Sequence, residues 1–296
     1  MLTTLLIMIN KLITKICKIL NKNGSVFPAS IVLPMDRKLL TKLKYPKYVI
    51  GITGSSGKGT ATTLVAQTLE ENGLKVVWNS SGSNVENGVA TLLLNNTNMF
   101  SHKIDGDALV LELDEAYLKE TFKKPILTHL IVTNVTRDQP ARNTEPEIIL
   151  NKIESALDNN IHLILNADDP LVNRLGEGRK KVTYYGIDKN KFGLKSSLSN
   201  NLDAAYCPLC KKKLEYDYYH YGHLGNYKCS KCKYRRKIGY EATNIDLKKG
   251  SITINKDKLE LNNNAFYTIY SYLATYALVK ELGLKKINTL KHKKEN

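Results

Sequence analysis

The sequence predicts an α/β fold in which a largely parallel sheet is covered by helices on both faces. Short apolar runs alternate with helical patterns between residues 48 and 165, and this alternation is typical of βαβ units. The first apolar run ends in a glycine-rich turn that leads directly into a helical pattern. The 296 residues suit one large domain with an insertion or two modest domains, since a domain holds ~150 residues.

Composition excludes several classes of protein. Hydrophobic residues make up 42% of the chain and charged residues 24%, close to globular averages, so the chain is not disordered throughout. Its longest apolar runs are far shorter than the ~20 residues of a membrane-spanning helix. Five cysteines do not indicate a secreted disulfide scaffold in a chain of this length, and the N-terminus lacks the features of a signal peptide. We therefore expect a cytoplasmic protein.

The chain is strongly basic, with 44 Lys and Arg against 28 Asp and Glu and a net charge of +16. Such an excess suits nucleic acid, anionic lipid or a phosphorylated substrate. Much of it lies in lysine-rich stretches at 179–191, 211–237 and 285–294, and such stretches are more often solvated faces than binding sites. Charge alone does not select a partner.

The N-terminal segment, residues 1–45, is predicted to begin with an amphipathic helix. Apolar residues recur at helical spacing between Leu5 and Leu20, while Asn10 and Lys15 fall on other faces. We favour a helix that packs on the main domain. The alternative is a helix that lies on a membrane surface.

The rest of the chain is predicted to form one main domain with an insertion. Its segments are 46–198 and 238–284 for the main domain, 199–237 for the insertion and 285–296 for a polar tail. The predicted strands are 48–51, 75–78, 108–113, 130–133, 161–165 and strands within 240–261, and the predicted helices are 60–69, 86–94, 147–157 and 263–282. The insertion interrupts the α/β pattern because its composition shifts to Cys, Tyr and Lys.

The strongest enzymatic signal is the segment GITGSSGKGT, residues 51–60. Its glycines let the backbone approach a polyphosphate, and the amides at the following helix start supply donors. Lys58 would reach the β- and γ-phosphates, and Thr60 could place its hydroxyl on Mg²⁺. The predicted nucleotide-binding residues of this segment are Gly54, Ser55, Ser56, Gly57, Lys58, Gly59 and Thr60. It departs from the usual phosphate-loop spacing, with Ile52 at the first glycine position and Gly59 after the lysine; a glycine-rich turn without a ligand is the alternative.

The second strong signal is a pair of C-x-x-C motifs separated by 18 residues. The four predicted zinc ligands are Cys207, Cys210, Cys229 and Cys232. Two such pairs suit a closed, tetrahedral structural zinc site, with redox or disulfide use as the alternative. His220 and His223 lie between the pairs and are not expected to be ligands, and Cys17 is expected to be a core residue. We expect this site and the 51–60 segment to act independently, because they lie in different modules.

Several segments together resemble one known family. The GxxGKGT pattern resembles the ATP loop of the Mur ligase and folylpolyglutamate synthetase superfamily. The other matching segments are GSNVENGVA (82–90), LELDEA (111–116), TNVTRDQPAR (133–142) and LNADDPLV (165–172). Together with the four-cysteine insertion, they look like the MurT family, the ligase subunits of lipid II isoglutaminyl synthases. The resemblance runs from about residue 10 to residue 285 and implies a P-loop-containing Mur ligase central domain with an inserted zinc ribbon of four cysteines.

The resemblance also implies a site. Such enzymes phosphorylate a carboxylate with ATP, and a nitrogen nucleophile then displaces the phosphate. The implied catalytic residues are Lys58, Glu112 and Gln139, the implied Mg²⁺ ligands are Thr60 and Glu112, and the implied nucleotide contacts beyond the loop are Asn134, Arg142, Asn166 and Asp169. For Asn166 and Asp169, an Asx-rich turn that caps a helix is an equal alternative. The family pattern changes at residues 140–143, which leaves the loop geometry there unpredicted.

The resemblance further implies partners. In that family the ligase joins a class I glutamine amidotransferase, GatD, which releases ammonia from glutamine, and the product is D-isoglutamine in the lipid II stem peptide. A lipid-linked substrate would place the protein at the inner membrane face. This chain carries no recognisable glutaminase signature, and relatives carry a further domain after the helix that resembles 263–282.

Two other functions remain as alternatives. One is a different amino acid ligase of the Mur or folylpolyglutamate type, or a ligase of a cell-wall-like peptide. The other is nucleic-acid binding by the basic zinc ribbon, which would weaken steeply with salt. We disfavour nucleic acid, because it leaves the ATP motifs unexplained.

Overall fold

The computed structural model describes residues 1–80, 83–115, 118, 126–137, 145–197 and 203–287. Its helices are α1 (Leu2–Ile19), α2 (Phe27–Met35), α3 (Lys58–Glu71), α4 (Glu86–Asn95), α5 (Pro146–Ser155), α6 (Pro170–Arg174) and α7 (Ile269–Glu281), with 3-10 turns at Leu39–Lys42 and Phe266–Thr268. Its strands are β1 (Tyr48–Thr53), β2 (Val76–Trp78), β3 (Ala108–Glu112), β4 (His129–Val132), β5 (His162–Asn166), β6 (Val182–Ile187), β7 (Glu215–Tyr221), β8 (Leu224–Lys228), β9 (Tyr240–Asp246), β10 (Ser251–Ile254) and β11 (Asp257–Glu260).

One large sheet organises the described chain, with strand order β11-β10-β9-β6-β5-β4-β1-β3-β2. The strands from β9 to β2 in that order run parallel, and β10 and β11 are added antiparallel. This arrangement confirms the predicted α/β class with a parallel-rich sheet. Strand β1 pairs with β3 on one side and with β4 on the other, so the sheet has its topological switch at the end of β1, where α/β proteins bind ligands.

Helices cover both faces of the sheet because the buried strands alternate apolar side chains between them. Val49 and Leu109 pack on the face that carries α1, α2 and α4. Ile50 and Val110 pack on the opposite face, against α3 and α7. Every strand and helix predicted between residues 48 and 165 is present. The sequence does not predict α2, which contains two prolines, or the tyrosine-rich strands β6, β7 and β8.

Helix α1 packs on the main domain through one face, as favoured from the sequence. Leu6, Ile7, Asn10 and Cys17 are buried, and the Asn10 amide donates to Asn95 Oδ1 at 3.0 Å. Its opposite face nevertheless stays apolar and exposed. The exposed apolar residues of α1 and α2 are Leu2, Leu5, Met8, Leu12, Ile16, Ile19, Phe27, Ile31 and Met35. Across the described residues, we find no helix that meets the length and apolarity that a membrane span requires.

Candidate functional site

A glycine loop, residues 54–60, joins β1 to α3 at the switch of the sheet. Gly54 and Gly57 adopt φ values of 127° and 80°, a region that favours glycine. A Cβ atom on Gly54 would lie 2.7 Å from the carbonyl oxygen of Asn134, so any larger residue would push the neighbouring loop away. Gly57 is the N-cap of α3. The loop therefore ends at a helix N-terminus, whose free amides favour anions.

A second loop, residues 133–136, fastens the glycine loop from the end of β4. The Ser55 amide donates to Asn134 O at 2.9 Å, and the Ser56 amide donates to Asn134 Oδ1 at 3.1 Å. The Thr133 hydroxyl donates to Ser56 O at 2.8 Å, and the Ser55 hydroxyl donates to Thr136 O at 3.0 Å. The side chains of Ser55 and Asn134, both predicted as nucleotide contacts, thus hold the two loops together in this structure.

Lys58 begins α3 and turns back over the glycine loop. Its ammonium group donates to the carbonyl oxygen of Gly54 and lies 3.0 Å from a carboxylate oxygen of Glu115. The Lys58 and Glu115 side chains are only 13% and 8% exposed. A phosphate group entering the loop would compete with Glu115 for this cation. The partnership with Glu115 is one that sequence reasoning does not find.

Glu112 lies at the carboxyl end of β3, beside the glycine loop. The Asn79 side chain bonds to both the amide and the carbonyl of Glu112, at 2.8 and 3.0 Å, and Asn84 donates to its Oε1 at 3.2 Å. Its Oε2 lies 3.4 Å from the position that a Cβ would take on Gly59. Burial raises the pKa of Glu112 despite the hydrogen bond from Asn84 and the nearby cation of Lys58.

The donor set here fits magnesium. Glu112 supplies a carboxylate oxygen that faces the loop, and Thr60, at the start of α3, supplies a hydroxyl. Mg²⁺ prefers oxygen ligands and is usually held by one or two protein groups together with phosphates and water. Thr60 and Glu112 are the residues that would hold it. A nearby cation would also stabilise the ionised form of Glu112, whose pKa burial raises.

A cavity of about 340 Å³ opens beside the glycine loop. Ser56, Gly57 and Thr60 line one side of it, while Tyr221 and Leu224 of the β7–β8 hairpin line another. The cysteine-rich insertion therefore forms part of the cavity wall, and the expected functional independence of the loop and the insertion stays a prediction. The sequence predicts the position of this cavity only through the glycine loop. No sequence signal marks the β7–β8 hairpin as a wall of the cavity, or the other aromatic lining residues, Tyr267 and Tyr270.

Asn166 and Asp169 lie behind this cavity and are fully buried. The Asn166 amide donates to Thr133 O at 2.9 Å. Asp169 caps α6 by accepting from the amides of Leu171 and Val172, and its other oxygen accepts from the Val135 amide at 2.8 Å. The capping alternative is thus observed for Asp169, and the structure does not bring either side chain to the cavity surface.

Two further predicted residues, Gln139 and Arg142, lie outside the described residues. The remaining predicted residues of the glycine loop, with Asn134 and Glu112, come together at the carboxyl ends of β1, β3 and β4. Neither Asn79 nor Asn84 is among the residues that the sequence predicts for the site. Asn84 lies in the 82–90 segment that carries the family resemblance, so a signal for it was present.

The four predicted cysteines come together in what we call the four-cysteine module, residues 203–237. Their sulfur atoms all lie within 4.8 Å of one another, with Cys207–Cys232 and Cys210–Cys229 separations of 3.5 and 3.4 Å. All four are free thiols, and sulfur atoms bound to one tetrahedral zinc lie ~3.8 Å apart. The cluster therefore fits a zinc ion, and no disulfide joins these four cysteines in the structure. His220 and His223 are not members of it.

The two cysteine pairs have matching backbone geometry. Lys211 and Lys233, each directly after the second cysteine of its pair, adopt φ values of 60° and 61°. The Cys207 amide donates to Lys212 O at 2.7 Å, and the Cys229 amide donates to Tyr234 O, the equivalent position of the second pair, at 2.7 Å. Backbone amides, chiefly that of Cys232, lower the pKa of the Cys229 thiol to about 6, whereas burial raises the pKa of the Cys207 thiol to about 12. Of these two thiols, Cys229 is the one poised to act as a thiolate.

Comparison with known proteins places this chain in a family. The Mur ligase middle domain model matches residues 52–230. The MurT subunit of the glutamine-hydrolyzing lipid II isoglutaminyl synthase of Staphylococcus aureus (strain COL) is 31% identical over 280 residues, covering 93% of this chain and 62% of that relative. The MurT subunit of Streptococcus pneumoniae is 30% identical over 272 residues, covering 88% of this chain and 58% of that relative. The chain thus spans about three fifths of the length of these curated relatives.

Solved structures agree with the sequence comparison. A pseudomurein peptide ligase type C from Methanothermus fervidus matches with a TM-score of 0.69 and 25% identity, covering 88% of this chain and 52% of that one. MurF from Acinetobacter baumannii matches with a TM-score of 0.54 and 14% identity, covering 93% and 50%, and shows the same fold. The resemblance to MurT that the motifs predict is confirmed. The chain belongs to the Mur ligase family.

Proposed function

We propose that this chain is an ATP-dependent, amide-forming ligase subunit of the MurT type. The observation that carries the proposal is the meeting of the glycine loop, Lys58 and Glu112 at the carboxyl ends of β1 and β3. A cation, a helix N-terminus and a carboxylate around one loop suit a Mg²⁺-bound polyphosphate. The Mur ligase middle domain supplies the family context for that chemistry.

The proposed reaction has two steps. An oxygen of the substrate carboxylate attacks the γ-phosphorus of ATP, and ADP leaves. Ammonia then attacks the acyl carbon, the bond from that carbon to the phosphate oxygen breaks, and inorganic phosphate leaves with one proton of the ammonia as the amide forms. The residues here act by positioning and by charge rather than by covalent chemistry.

Each residue of the site has a proposed task in this reaction. Lys58 exchanges Glu115 for phosphate oxygens, while the amides of the glycine loop hold the phosphate chain. Thr60 and Glu112 would hold Mg²⁺, and the bound ion would neutralise charge on the phosphates. Gln139 remains a predicted catalytic residue and Arg142 a predicted nucleotide contact. Asn166 and Asp169, which do not reach the cavity surface, are proposed to hold the loop of residues 133–136 instead.

The proposed partner is a class I glutamine amidotransferase subunit, and the proposed substrate is a lipid-linked stem peptide. Support comes from the relatives, whose names describe a glutamine-hydrolyzing lipid II isoglutaminyl synthase. The amide would then form at the D-glutamate carboxylate of that peptide. Zinc at the four-cysteine module is proposed as structural, because four protein thiolates leave no open coordination position.

The N-terminal surface supports an approach to anionic lipid. The first 47 residues contain nine Lys and Arg and one Asp. Leu5, Met8 and Leu12 lie one above another on the exposed side of α1, each about half exposed. An apolar stripe flanked by cations is typical of helices that lie on a membrane surface. We therefore propose that this face rests on the membrane that carries the substrate.

Nucleotide binding tests the core of the proposal. Calorimetry with Mg-ATP should give clear binding to the wild type and a loss of at least about tenfold with Lys58→Ala, since a charge-assisted contact to phosphate is removed. Lys75→Ala is the matched control, because Lys75 is 61% exposed and pairs with Asp105 on the surface. Equal affinity of the wild type and Lys58→Ala would reject the nucleotide assignment.

A second candidate function is peptide-bond formation with an amino acid as the nucleophile. It is favoured by the fold similarity to the pseudomurein peptide ligase. The two functions separate in an assay of ADP release with a stem-peptide acceptor. Stimulation by ammonia, or by glutamine with a glutaminase subunit, supports the MurT-type function, whereas stimulation by a free amino acid alone supports the peptide ligase.

A further inference from the structure

We propose that the four-cysteine module holds the glycine loop in its nucleotide-binding geometry, so that metal at the four cysteines and nucleotide at the loop strengthen each other's binding. This inference rests on the proposed function, because it takes residues 54–60 as the nucleotide site. It assigns the insertion a positioning task in addition to local stability. The contacts that carry it run from the cysteines to the segment after β5, and from that segment to the glycine loop.

The first contacts are hydrogen bonds from the module to the backbone of residues 167–170. Three carbonyl acceptors of that segment are satisfied by donors of the module. The bonds are Tyr227 Oη to Ala167 O at 3.0 Å, Gly225 N to Asp168 O at 2.9 Å and Tyr234 Oη to Pro170 O at 2.6 Å. All three carbonyls lie where β5 turns into α6. The module therefore supplies bonds that this turn does not make within itself.

Two buried charge pairs join the same elements. Arg236 Nε donates to Asp168 Oδ1 at 2.6 Å, with side chains 6% and 0% exposed. His223 Nε2 lies 3.2 Å from Asp169 Oδ2, with side chains 3% and 0% exposed, an ion-pair distance without hydrogen-bond alignment. Burial opposes the charged histidine, but the Asp169 carboxylate outweighs it and raises the pKa of His223. Removing one member of such a pair is costly, because a buried charge is left alone.

Asp169 connects the turn between β5 and α6 to the loop of residues 133–136, which in turn contacts the glycine loop. The same Oδ2 atom that faces His223 accepts from the Val135 amide at 2.8 Å. The preceding residue, Asn134, holds Ser55 and Ser56 by main-chain and side-chain bonds. A shift of the turn would therefore move the second loop, and with it the walls of the phosphate site.

The tyrosine donors at the start of this series of contacts lie beside the four cysteines in the sequence. Tyr227 and Tyr234 each lie two residues from a cysteine, Cys229 and Cys232 respectively. Both tyrosine side chains are nearly fully buried. Their hydroxyl positions depend on the fold of the two cysteine turns, and metal binding commonly drives the folding of such small modules. Loss of metal should therefore release the turn between β5 and α6.

Thermodynamic linkage gives the first test. If zinc tightens Mg-ATP binding by a factor, Mg-ATP must tighten zinc binding by the same factor. We expect that factor to be about tenfold, within the range of ordinary allosteric coupling. Nucleotide affinity is measured by calorimetry on zinc-loaded and zinc-stripped protein. Zinc affinity is measured by competition with a chromophoric chelator, with and without a non-hydrolysable ATP analogue.

Conservative variants give the second test. They separate a loss of the proposed contact from a general unfolding of the protein. Tyr234→Phe removes only the hydroxyl that bonds Pro170, and should weaken nucleotide binding severalfold while one zinc per chain is retained. Tyr206→Phe is the matched control, because Tyr206 lies in the same module but is 60% exposed. It should leave nucleotide affinity unchanged.

The outcomes are distinguishable. Equal nucleotide affinity with and without zinc, together with wild-type affinity of Tyr234→Phe, would overturn the coupling while leaving the proposed function intact. Absence of nucleotide binding to the zinc-loaded wild type would instead reject the proposed function. The coupling would be established by two results. Zinc and nucleotide must raise each other's affinity by the same factor, and Tyr234→Phe must bind nucleotide more weakly while it retains zinc.

Discussion

The ammonium group of Lys58 lies 3.0 Å from the carboxylate of Glu115, and both side chains are nearly buried. Glu115 therefore pairs with the ammonium group that we propose binds the phosphates of the nucleotide. We predict that Glu115→Gln raises the affinity for ATP severalfold, because the nucleotide no longer competes with a carboxylate for Lys58. Glu154→Gln, which alters an exposed pair with Arg174, should leave the affinity unchanged. Calorimetry with Mg-ATP measures the affinity of each variant. Weaker binding of ATP to Glu115→Gln than to the wild type would show that Glu115 itself helps to hold the nucleotide or its metal.

The four-cysteine module should carry one metal ion per chain. We predict about one zinc per chain after purification under reducing, chelator-free conditions, since four thiolates form one tetrahedral site. Cys229→Ser should lose the metal, lower the thermal midpoint and also weaken nucleotide binding. Elemental analysis gives the stoichiometry and differential scanning fluorimetry the midpoint. Protein that is fully folded and free of metal under these conditions would contradict the prediction.

A histidine pair in the main sheet predicts loss of stability in acid. The rings of His129 and His162 stack at 5.7 Å, and burial, with help from His162 and Lys181, lowers the pKa of His129 to about 4. The unfolded chain therefore binds this proton more tightly than the folded protein does. Stability from this group is complete above pH ~6.5 and decreases as the pH falls towards 4, by about 3 kcal/mol at most.

Denaturant unfolding between pH 7 and pH 4.5 checks this sign. His129→Gln should lose less unfolding free energy over that range than the wild type does, because its side chain does not titrate. His102→Gln is the control, since His102 contacts Thr4 on α1 instead. Identical pH dependence of the wild type and His129→Gln would contradict the assignment.

The exposed stripe of α1 predicts binding to anionic vesicles. Leu5→Gln combined with Leu12→Gln should lower the partition onto phosphatidylglycerol-containing vesicles by at least about tenfold, since each buried leucine contributes ~1.5–3 kcal/mol. Leu209→Gln combined with Ile238→Gln is the matched control, because both residues are exposed but lie in or beside the four-cysteine module. Sedimentation with vesicles measures the effect. Equal vesicle binding of the two double variants would show that α1 does not contact the membrane.

The sequence predicts the glycine loop and its flanking elements because their determinants are local. An apolar run, glycines and a helical pattern follow one another within about 20 residues, and β1 and α3 form there. The contact of Tyr227 with Ala167 joins residues 60 positions apart, and no periodicity reports it. Lys58 and Glu115 are similarly distant in sequence. The sequence can place Glu115 near the site, but it cannot predict that Glu115 pairs with Lys58.

The interior position of β1 in the sheet has a consequence for how binding at the loop would be observed. Ile50 and Ile52 are fully buried in a strand that is paired on both sides. Their amides should be among the slowest to exchange with deuterium, because local opening cannot expose them. A ligand at the loop that follows β1 stabilises the folded domain against global opening. Nucleotide binding should therefore slow exchange across the whole parallel sheet, and not only in the loop that it touches.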